Sequence, residues 1–240
     1  MRLLEYRNDS VEPGFNLAMD ELLMSHEACK REAVFGFWQN RPCVIVGVHQ
    51  CAEREVNLDY CHSEGIPVVR RCTGGGAVYH DFGNLNFSLF VPSAGRGLET
   101  DYRICHDLFA PIFAEMGVEI ELSQTNDLLL GGKKFSGMAS RKTQDVHLYH
   151  GTLLYDVDTR RMSLALGNPE GKFMQARGVK SRHAEVINLR GCLPGVESMA
   201  DFRAALERGL RARHEVGELE LSGEFVREVE ELAAGSYLGI

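Results

Sequence analysis

The sequence predicts an α+β domain, a mixed, largely antiparallel sheet packed with helices. Short runs rich in β-branched and aromatic residues recur along the 240-residue chain. They do not alternate strictly with helical stretches, as a doubly wound fold would require. Helical periodicity is confined to a few segments near the start, in the middle and at the end. Hydrophobic residues make up 44% of the chain, enough for one sizeable core, and the length favours a single domain over residues 1–240.

Element by element, residues 2–7 read as a strand. Phe15 to His26 reads as an amphipathic helix, with Phe15, Ala18, Met19, Leu22 and Leu23 on the apolar stripe and Asn16, Asp20 and Glu21 on the polar one. Strands follow at Val34–Gln39 and Cys43–Val48, around the turn Asn40-Arg41-Pro42, then at Ile66–Arg70, Ala77–His80 and Leu85–Val91. Asp101 to Met116 reads as a helix stopped by Gly117, with Pro111 expected to kink or split it. Further strands are expected near Glu119–Leu122, Asp127–Leu130, Lys134–Arg141 and Val146–Asp156. A short helix at Thr159–Ala165 leads into a long irregular stretch, Gly167–Asn188, a candidate for a moving cover. Ser198 and Asp201 resemble a helix start, with Phe202, Ala205, Leu206, Gly209 and Leu210 on one face. A last helix is expected from Phe225 to Ala234.

Net charge is 26 − 34 = −8, which argues against a nucleic-acid backbone as the main partner. No apolar run approaches a membrane span, mean hydropathy is −0.18, and the N-terminus has no secretion signal. Seven cysteines occur without any CxxC, so a reduced protein of the cytoplasm is expected. His147 and His150 form an H-x-x-H, but on a strand they face opposite sides and do not share a metal.

The loop Arg70-Arg71-Cys72-Thr73-Gly74-Gly75-Gly76-Ala77 follows a strand. Three glycines let the backbone approach a ligand and aim several N–H groups at it, and Arg71 adds a charged donor. It is not a P-loop, since it lacks GK[ST] and leads into a strand. A bare glycine hairpin would be structural, but this one is flanked by two arginines and followed by His80, Asp81, Asn84 and Asn86. Lys133, Lys134, Arg141 and Lys142 form a second basic stretch.

Residues 70–88, RRCTGGGAVYHDFGNLNFS, resemble the lipoate–protein ligase A signature, RRxSGGGAVxHDxGNLNxS. NLAMDELL near the start, FWQNRPCVIVG, NDLLLGGKKFSGMASRK and HGTLLYDVD agree in order and spacing. The resemblance implies a biotin/lipoyl ligase-like (class II synthetase-like) fold, the substrates ATP and lipoate, and a bound lipoyl-AMP intermediate. By position it implies that Arg71, Gly76, Ala77, Val78 and Tyr79 contact nucleotide and phosphate. Gly74, Gly75, His80, Asn84, Gly137 and Ala139 complete the cofactor-binding set, with Asn126 and Asp127 beside the adenylate. Lys134 matches the lysine that touches both the lipoyl carbonyl and the phosphate, and Lys133 is the solvated neighbour. The implied acceptors are lipoyl-domain proteins, of the 2-oxoacid dehydrogenase E2 or glycine-cleavage H protein type.

Joining a carboxylate to the α-phosphorus of ATP brings two anions together, so fixed positive charge and N–H donors are needed. Lys134, Arg71 and the Gly74–Gly76 amides are the candidates, with Mg2+ on the phosphates and Asp127 as its protein ligand. Attack by the acceptor lysine then requires a proton acceptor, Asp127 or His150. Three departures from the family pattern stand out. No C-terminal accessory domain is expected, a part that in some relatives is a separate subunit needed for adenylation. In the loop Gly178–Leu189, His183 and Glu185 replace arginines. Val48 stands where an arginine is common. The alternatives are an ATP-independent lipoyl or octanoyl transferase, which needs a nucleophilic cysteine that residues 121–125 do not provide and leaves Cys72 as the thiol to consider; a biotin ligase; and a non-catalytic or adenylation-deficient lipoate-binding subunit.

Overall fold

The computed structural model describes residues 2–93, 100–167, 178–181, 184–237 and 239–240. The strands are β1 (Arg2–Glu5), β2 (Ala33–Trp38), β3 (Cys43–Val46), β4 (Val68–Arg70), β5 (Val78–His80), β6 (Asn84–Pro92), β7 (Glu121–Leu122), β8 (Asp127–Leu130), β9 (Lys133–Lys142), β10 (Val146–Leu154) and β11 (Glu215–Glu218). The helices are α1 (Pro13–Leu23), α2 (Glu27–Arg31), α3 (Ala52–Glu55), α4 (Leu58–Ser63), α5 (Arg103–Glu115), α6 (Thr159–Ala165), α7 (Met199–Arg213) and α8 (Gly223–Ser236).

The alternation within β6 sets the middle of the molecule. Leu85, Phe87, Leu89 and Val91 point to one face, and Asn84, Asn86 and Ser88 to the other. The apolar set packs with Phe35 and Phe37 of β2 beneath α5 and α7, which contribute Phe109, Phe113, Phe202 and Leu206. Around this core an eight-stranded sheet runs in the order β11-β1-β2-β6-β10-β9-β8-β7. Its β11-β1-β2 edge is parallel and the rest is antiparallel. The opposite face carries α1, which packs on α8. It also carries a three-stranded sheet, β4-β3-β5, whose outer side rests on α3, α4 and α6.

The expected α+β class and the largely antiparallel sheet are what the structure contains, but several elements differ from expectation. The helix expected over Phe15–His26 starts earlier and ends at Leu23, and a separate short helix begins beyond the expected span, at Glu27. The first begins at Pro13, suited to a first turn that has no partner for its amide, and the second is capped by His26, whose Nδ1 accepts the Ala28 amide at 3.2 Å. Its expected polar stripe is not solvated, since Asn16 and Asp20 are each 1% exposed. Asn16 Nδ2 donates to the carbonyls of Ser10 (3.0 Å) and Gln39 (2.9 Å) and to Asn40 Oδ1 (2.8 Å), which offsets its burial. Pro111 does not split α5. The amide it lacks would have reached Asp107, an exposed residue whose carbonyl water can satisfy. β2 and β3, neighbours in sequence, lie in different sheets. Helices α2, α3 and α4 and strand β11 were not expected.

Candidate functional site

A cavity of about 280 Å³ lies between the small sheet and the polar face of the large one, near the lower end of the usual range for small-molecule sites. Its floor crosses four strands in order. Trp38 on β2 pairs with Asn86 on β6, and Asn86 with Thr152 on β10. Thr152 Oγ1 accepts the amide of Gly137 on β9 at 3.1 Å. At the usual strand spacing this floor is about 14 Å long. Leu17, Ile45 and Val78 supply apolar wall, and Asn126, Asp127 and Lys134 close the far end. The site is therefore an elongated trough of mixed lining, with apolar wall from Leu17, Ile45 and Val78 and the Lys134–Asp127 pair at one end.

At that terminus Lys134 Nζ lies 2.8 Å from Asp127 Oδ1. Gly137 makes room for it, since a Cβ there would stand 2.8 Å from Nζ. Alternation along β9 sends Lys133 outward, where its ammonium meets Glu185 Oε1 at 2.5 Å. The backbone of Lys134 is held on its second edge as well, its amide donating to Glu185 O and its carbonyl accepting from the Ile187 amide, each at 2.9 Å. Glu185 thus docks the 184–187 segment onto β9. His183 lies outside the described residues, as do residues 168–177 of the expected moving cover. Asn126 anchors the neighbouring turn, with Nδ2 donating to the Met138 carbonyl.

The glycine loop forms the near wall. Gly75 has φ +92°, left-handed backbone that suits glycine, and a Cβ on Gly47 would stand 2.3 Å from the Gly75 carbonyl. Arg71 lines the cavity, yet its donors turn to the loop itself. Nη2 donates to the carbonyls of Gly74 (2.5 Å) and Gly76 (2.9 Å), Nη1 to Ile45 O (3.3 Å), and Nε to Thr73 Oγ1 (2.9 Å). Burial lowers its pKa to about 10, still cationic at neutral pH. Arg71 is therefore first the residue that gathers the loop carbonyls. The amides of Gly74, Gly75 and Gly76 have no acceptor among the described residues, and so remain available to an anion. Segment 178–181 lies over this loop. Ser181 Oγ accepts the Ala77 amide at 3.0 Å, and Glu55 Oε2 accepts the Ser181 amide at 2.8 Å. Arg54, paired with Glu55 at 2.8 Å, donates to the Gly178 and Val179 carbonyls.

His150 lines the cavity with a partner at each ring nitrogen. Its Nδ1 lies 2.8 Å from Asp20 Oδ2 and its Nε2 2.8 Å from Thr73 Oγ1. The expected proton acceptor His150 is thus oriented by a buried carboxylate, and Asp127 is the carboxylate at the charged end. His80 is 3% exposed, and burial, with Arg71 and His150 nearby, lowers its pKa to about 3. Its Nδ1 faces Asn40 Nδ2 at 3.0 Å, while Nε2 has no partner among the described residues.

Of the residues expected from sequence, Arg71, Gly75, Gly76, Ala77, Val78, His80, Asn126, Asp127, Lys134, Gly137, Ala139 and His150 line one cavity. Gly74, Tyr79 and Asn84 do not. Gly74 gives its carbonyl to Arg71, Tyr79 turns into the core under the small sheet, and Asn84 Nδ2 donates to Asn86 Oδ1 at 2.9 Å. Sequence reasoning missed Trp38, Thr152 and Ser181 as lining residues, and Asp20 and Thr73 behind the wall. The Asn-Leu-Asn alternation signalled Asn86, whereas nothing local marks Asp20. No cysteine is among the described residues lining the cavity. Cys72 lies off it, with its thiol pKa raised by burial, the wrong direction for a nucleophile. Among the described residues no group of three or more His, Cys, Asp or Glu is arranged to hold a metal ion, and no helix is long and apolar enough to cross a membrane.

With this geometry in view, the family model of the lipoyl protein ligase A/B catalytic domain matches residues 12–211. Lipoate–protein ligase 1 of Staphylococcus aureus is 33% identical over 96% of this chain and 69% of its own. The chain spans between 55% and 69% of the length of the curated relatives it matches. A bipartite lipoate protein ligase of Thermoplasma acidophilum, studied with its E2 lipoyl domain, superposes with a TM-score of 0.82 at 26% identity, over 98% of this chain and 93% of that one. A lipoate–protein ligase A bound with ATP superposes with a TM-score of 0.80 at 27% identity, over 98% and 95%. The glycine loop, the paired Lys134 and Asp127 and the trough between them all fall within the matched segment, and the chain belongs to the lipoyl protein ligase A/B catalytic domain family.

Proposed function

We propose that this chain activates lipoate with ATP to lipoyl-AMP and transfers the lipoyl group to a lysine of a lipoyl-domain acceptor protein. The observation that carries this reading is the elongated trough, walled in part by Leu17, Ile45 and Val78, that ends at the Lys134–Asp127 pair. An extended acyl chain would lie along such a floor, with its carboxylate meeting the Lys134 ammonium at the end. In the first half-reaction a carboxylate oxygen bonds to the α-phosphorus and pyrophosphate leaves. Lys134 would shift its ammonium from Asp127 to the two reacting anions, and the free glycine-loop amides would receive phosphate oxygens. Mg2+ fits as an ion brought with the phosphates, since Asp127 offers one carboxylate and such sites commonly use one or two. It would neutralise phosphate charge.

In the second half-reaction the acceptor amine attacks the acyl carbon, the C–O bond to phosphate breaks, AMP leaves and the amine loses a proton. Asp127, at the charged end of the trough, would take that proton. Acceptors of the 2-oxoacid dehydrogenase E2 or glycine-cleavage H protein type, a separate accessory subunit for adenylation, and residence in the cytoplasm all belong to this proposal. The seven free thiols fit a reducing compartment. The lack of a cysteine among the described residues lining the cavity disfavours the thioester-forming transferase.

One assay with three donors tests the reading. Purified chain, ATP, Mg2+ and lipoate should add one lipoyl mass to an apo lipoyl domain. Success with pre-made lipoyl-AMP alone identifies a missing adenylation partner, and success only with an acyl-carrier donor, independent of ATP, overturns the ligase. Lys134→Ala should abolish modification from both ATP and lipoyl-AMP; retained activity would remove Lys134 from the site.

A further inference from the structure

Behind the cavity wall two hydrogen-bond chains converge on one buried carboxylate. Trp38 Nε1 donates to Ser88 Oγ at 2.9 Å, and Ser88 Oγ donates to Asp20 Oδ1 at 2.6 Å. On the other side Arg71 Nε donates to Thr73 Oγ1 at 2.9 Å, Thr73 Oγ1 meets His150 Nε2 at 2.8 Å, and His150 Nδ1 meets Asp20 Oδ2 at 2.8 Å. Asp20 and Thr73 are each 1% exposed and Ser88 is fully buried.

With a single hydrogen on the His150 ring, the direction of every link follows from the ends. Indole and guanidinium nitrogens only donate, and an ionised carboxylate only accepts. Thr73 oxygen therefore accepts from Arg71 and sends its own hydrogen to His150 Nε2. His150 then carries its hydrogen on Nδ1 and gives it to Asp20. Ser88 likewise accepts from Trp38 and gives to Asp20. Two donor-only ends and one acceptor-only centre leave no link contradictory and no proton unplaced. A residue at position 20 with one acceptor and one donor would reverse one of the chains.

We propose that Asp20 is a positioning residue for the glycine loop: through His150 and Thr73 its carboxylate fixes the proton direction that holds Arg71 against the Gly74 and Gly76 carbonyls, and so turns the loop amides toward the ligand. The inference rests on the ligase reading for its kinetic consequence but not for its structural one. It assigns His150 the role of a proton-fixed link, distinct from that of an acid or base in the reaction.

Two measurements test it. Ring 15N shifts of His150 in the ligand-free chain read the tautomer without any activity. Hydrogen on Nδ1 is expected at neutral pH, with a shift toward Nε2–H in Asp20→Asn; Nε2–H or a doubly protonated ring in the wild type overturns the proposal whatever the chain catalyses. In single-turnover transfer from whichever donor the wild type uses, Asp20→Asn and Thr73→Val should each lose about 10- to 100-fold, the scale of a displaced binding group. Thr73→Ser, which keeps the hydroxyl, should recover most of the loss. The double variant Asp20→Asn/Thr73→Val should be no slower than Thr73→Val, because both cut the same chain. Multiplying losses, or an equal loss in Thr73→Ser, overturns the proposal. If Asp20→Asn does not fold, the Thr73→Val and Thr73→Ser pair decides. A wild type inactive with every donor refutes the ligase reading and leaves the 15N result standing.

Discussion

Lys134 reaches Asp127 across a gap that exists because residue 137 has no side chain. A methyl there would stand 2.8 Å from Nζ and 2.9 Å from Cε, both at the movable end of a flexible chain, whereas Asp127 Oδ1 is 3.6 Å away. Gly137→Ala should therefore leave the melting temperature nearly unchanged and displace the ammonium instead. Adenylate formation should fall about 10- to 100-fold, by the usual cost of misplacing a reacting group, and a variant with wild-type turnover would show that Lys134 is not placed by this gap. At this scale the sequence was readable where a motif carried the information. The glycine loop, Asn126, Asp127 and Lys134 came from matched segments. Alternation alone said that Lys133 and Lys134 face opposite ways but not which faces in. Asp20 was misread because helical periodicity sorts residues by polarity, while its partner His150 is 130 positions away and leaves no local trace.

Elements were legible where their ends carried chemistry. The helix expected to start at Ser198 does so with a reciprocal cap, Ser198 Oγ accepting the Asp201 amide at 3.1 Å and Asp201 Oδ2 accepting the Ser198 amide at 3.0 Å. Ser198→Ala should cost about 1 kcal/mol in denaturant unfolding without altering catalysis, the typical value of an N-cap; an unchanged midpoint would mean that tertiary packing alone holds α7. Thr159–Ala165 and Asp127–Leu130 were also placed with their observed bounds. α3 and β11 were not legible for physical reasons. A four-residue helix cannot show a period, and β11, with sequence EVGE, is an edge strand without an apolar face. Yet α3 supplies Arg54 and Glu55, which hold segment 178–181 over the glycine loop.

At the scale of the molecule, a core, an antiparallel sheet and helices followed from composition and periodicity, but the partition of strands between two sheets did not. β2 and β3 share a turn and belong to different layers, because the hydrophobic runs that identify strands do not specify which partner each will meet. The interface between the layers buries His80 in its neutral form, with a pKa near 3 against 6.5 when exposed. Between these values the unfolded chain binds a proton that the folded one does not. The stabilisation is fully present above pH 6.5 and is lost as pH falls, by about 1.4 kcal/mol per pH unit. Unfolding free energies measured from pH 7 to pH 5 should show this slope, and His80→Gln should flatten it by the equivalent of one proton. Parallel curves for the two proteins would mean that His80 is not the group responsible.

The Lys134–Asp127 contact has one more consequence, concerning entropy. A lysine side chain loses about 1.5 to 2 kcal/mol of rotational freedom when it is ordered. Here the chain is already ordered by its carboxylate partner, and its backbone is held on both edges of β9. An arriving anion exchanges partners with an aligned ammonium and does not have to freeze a mobile one, so most of that ordering cost falls on folding and little of it on binding.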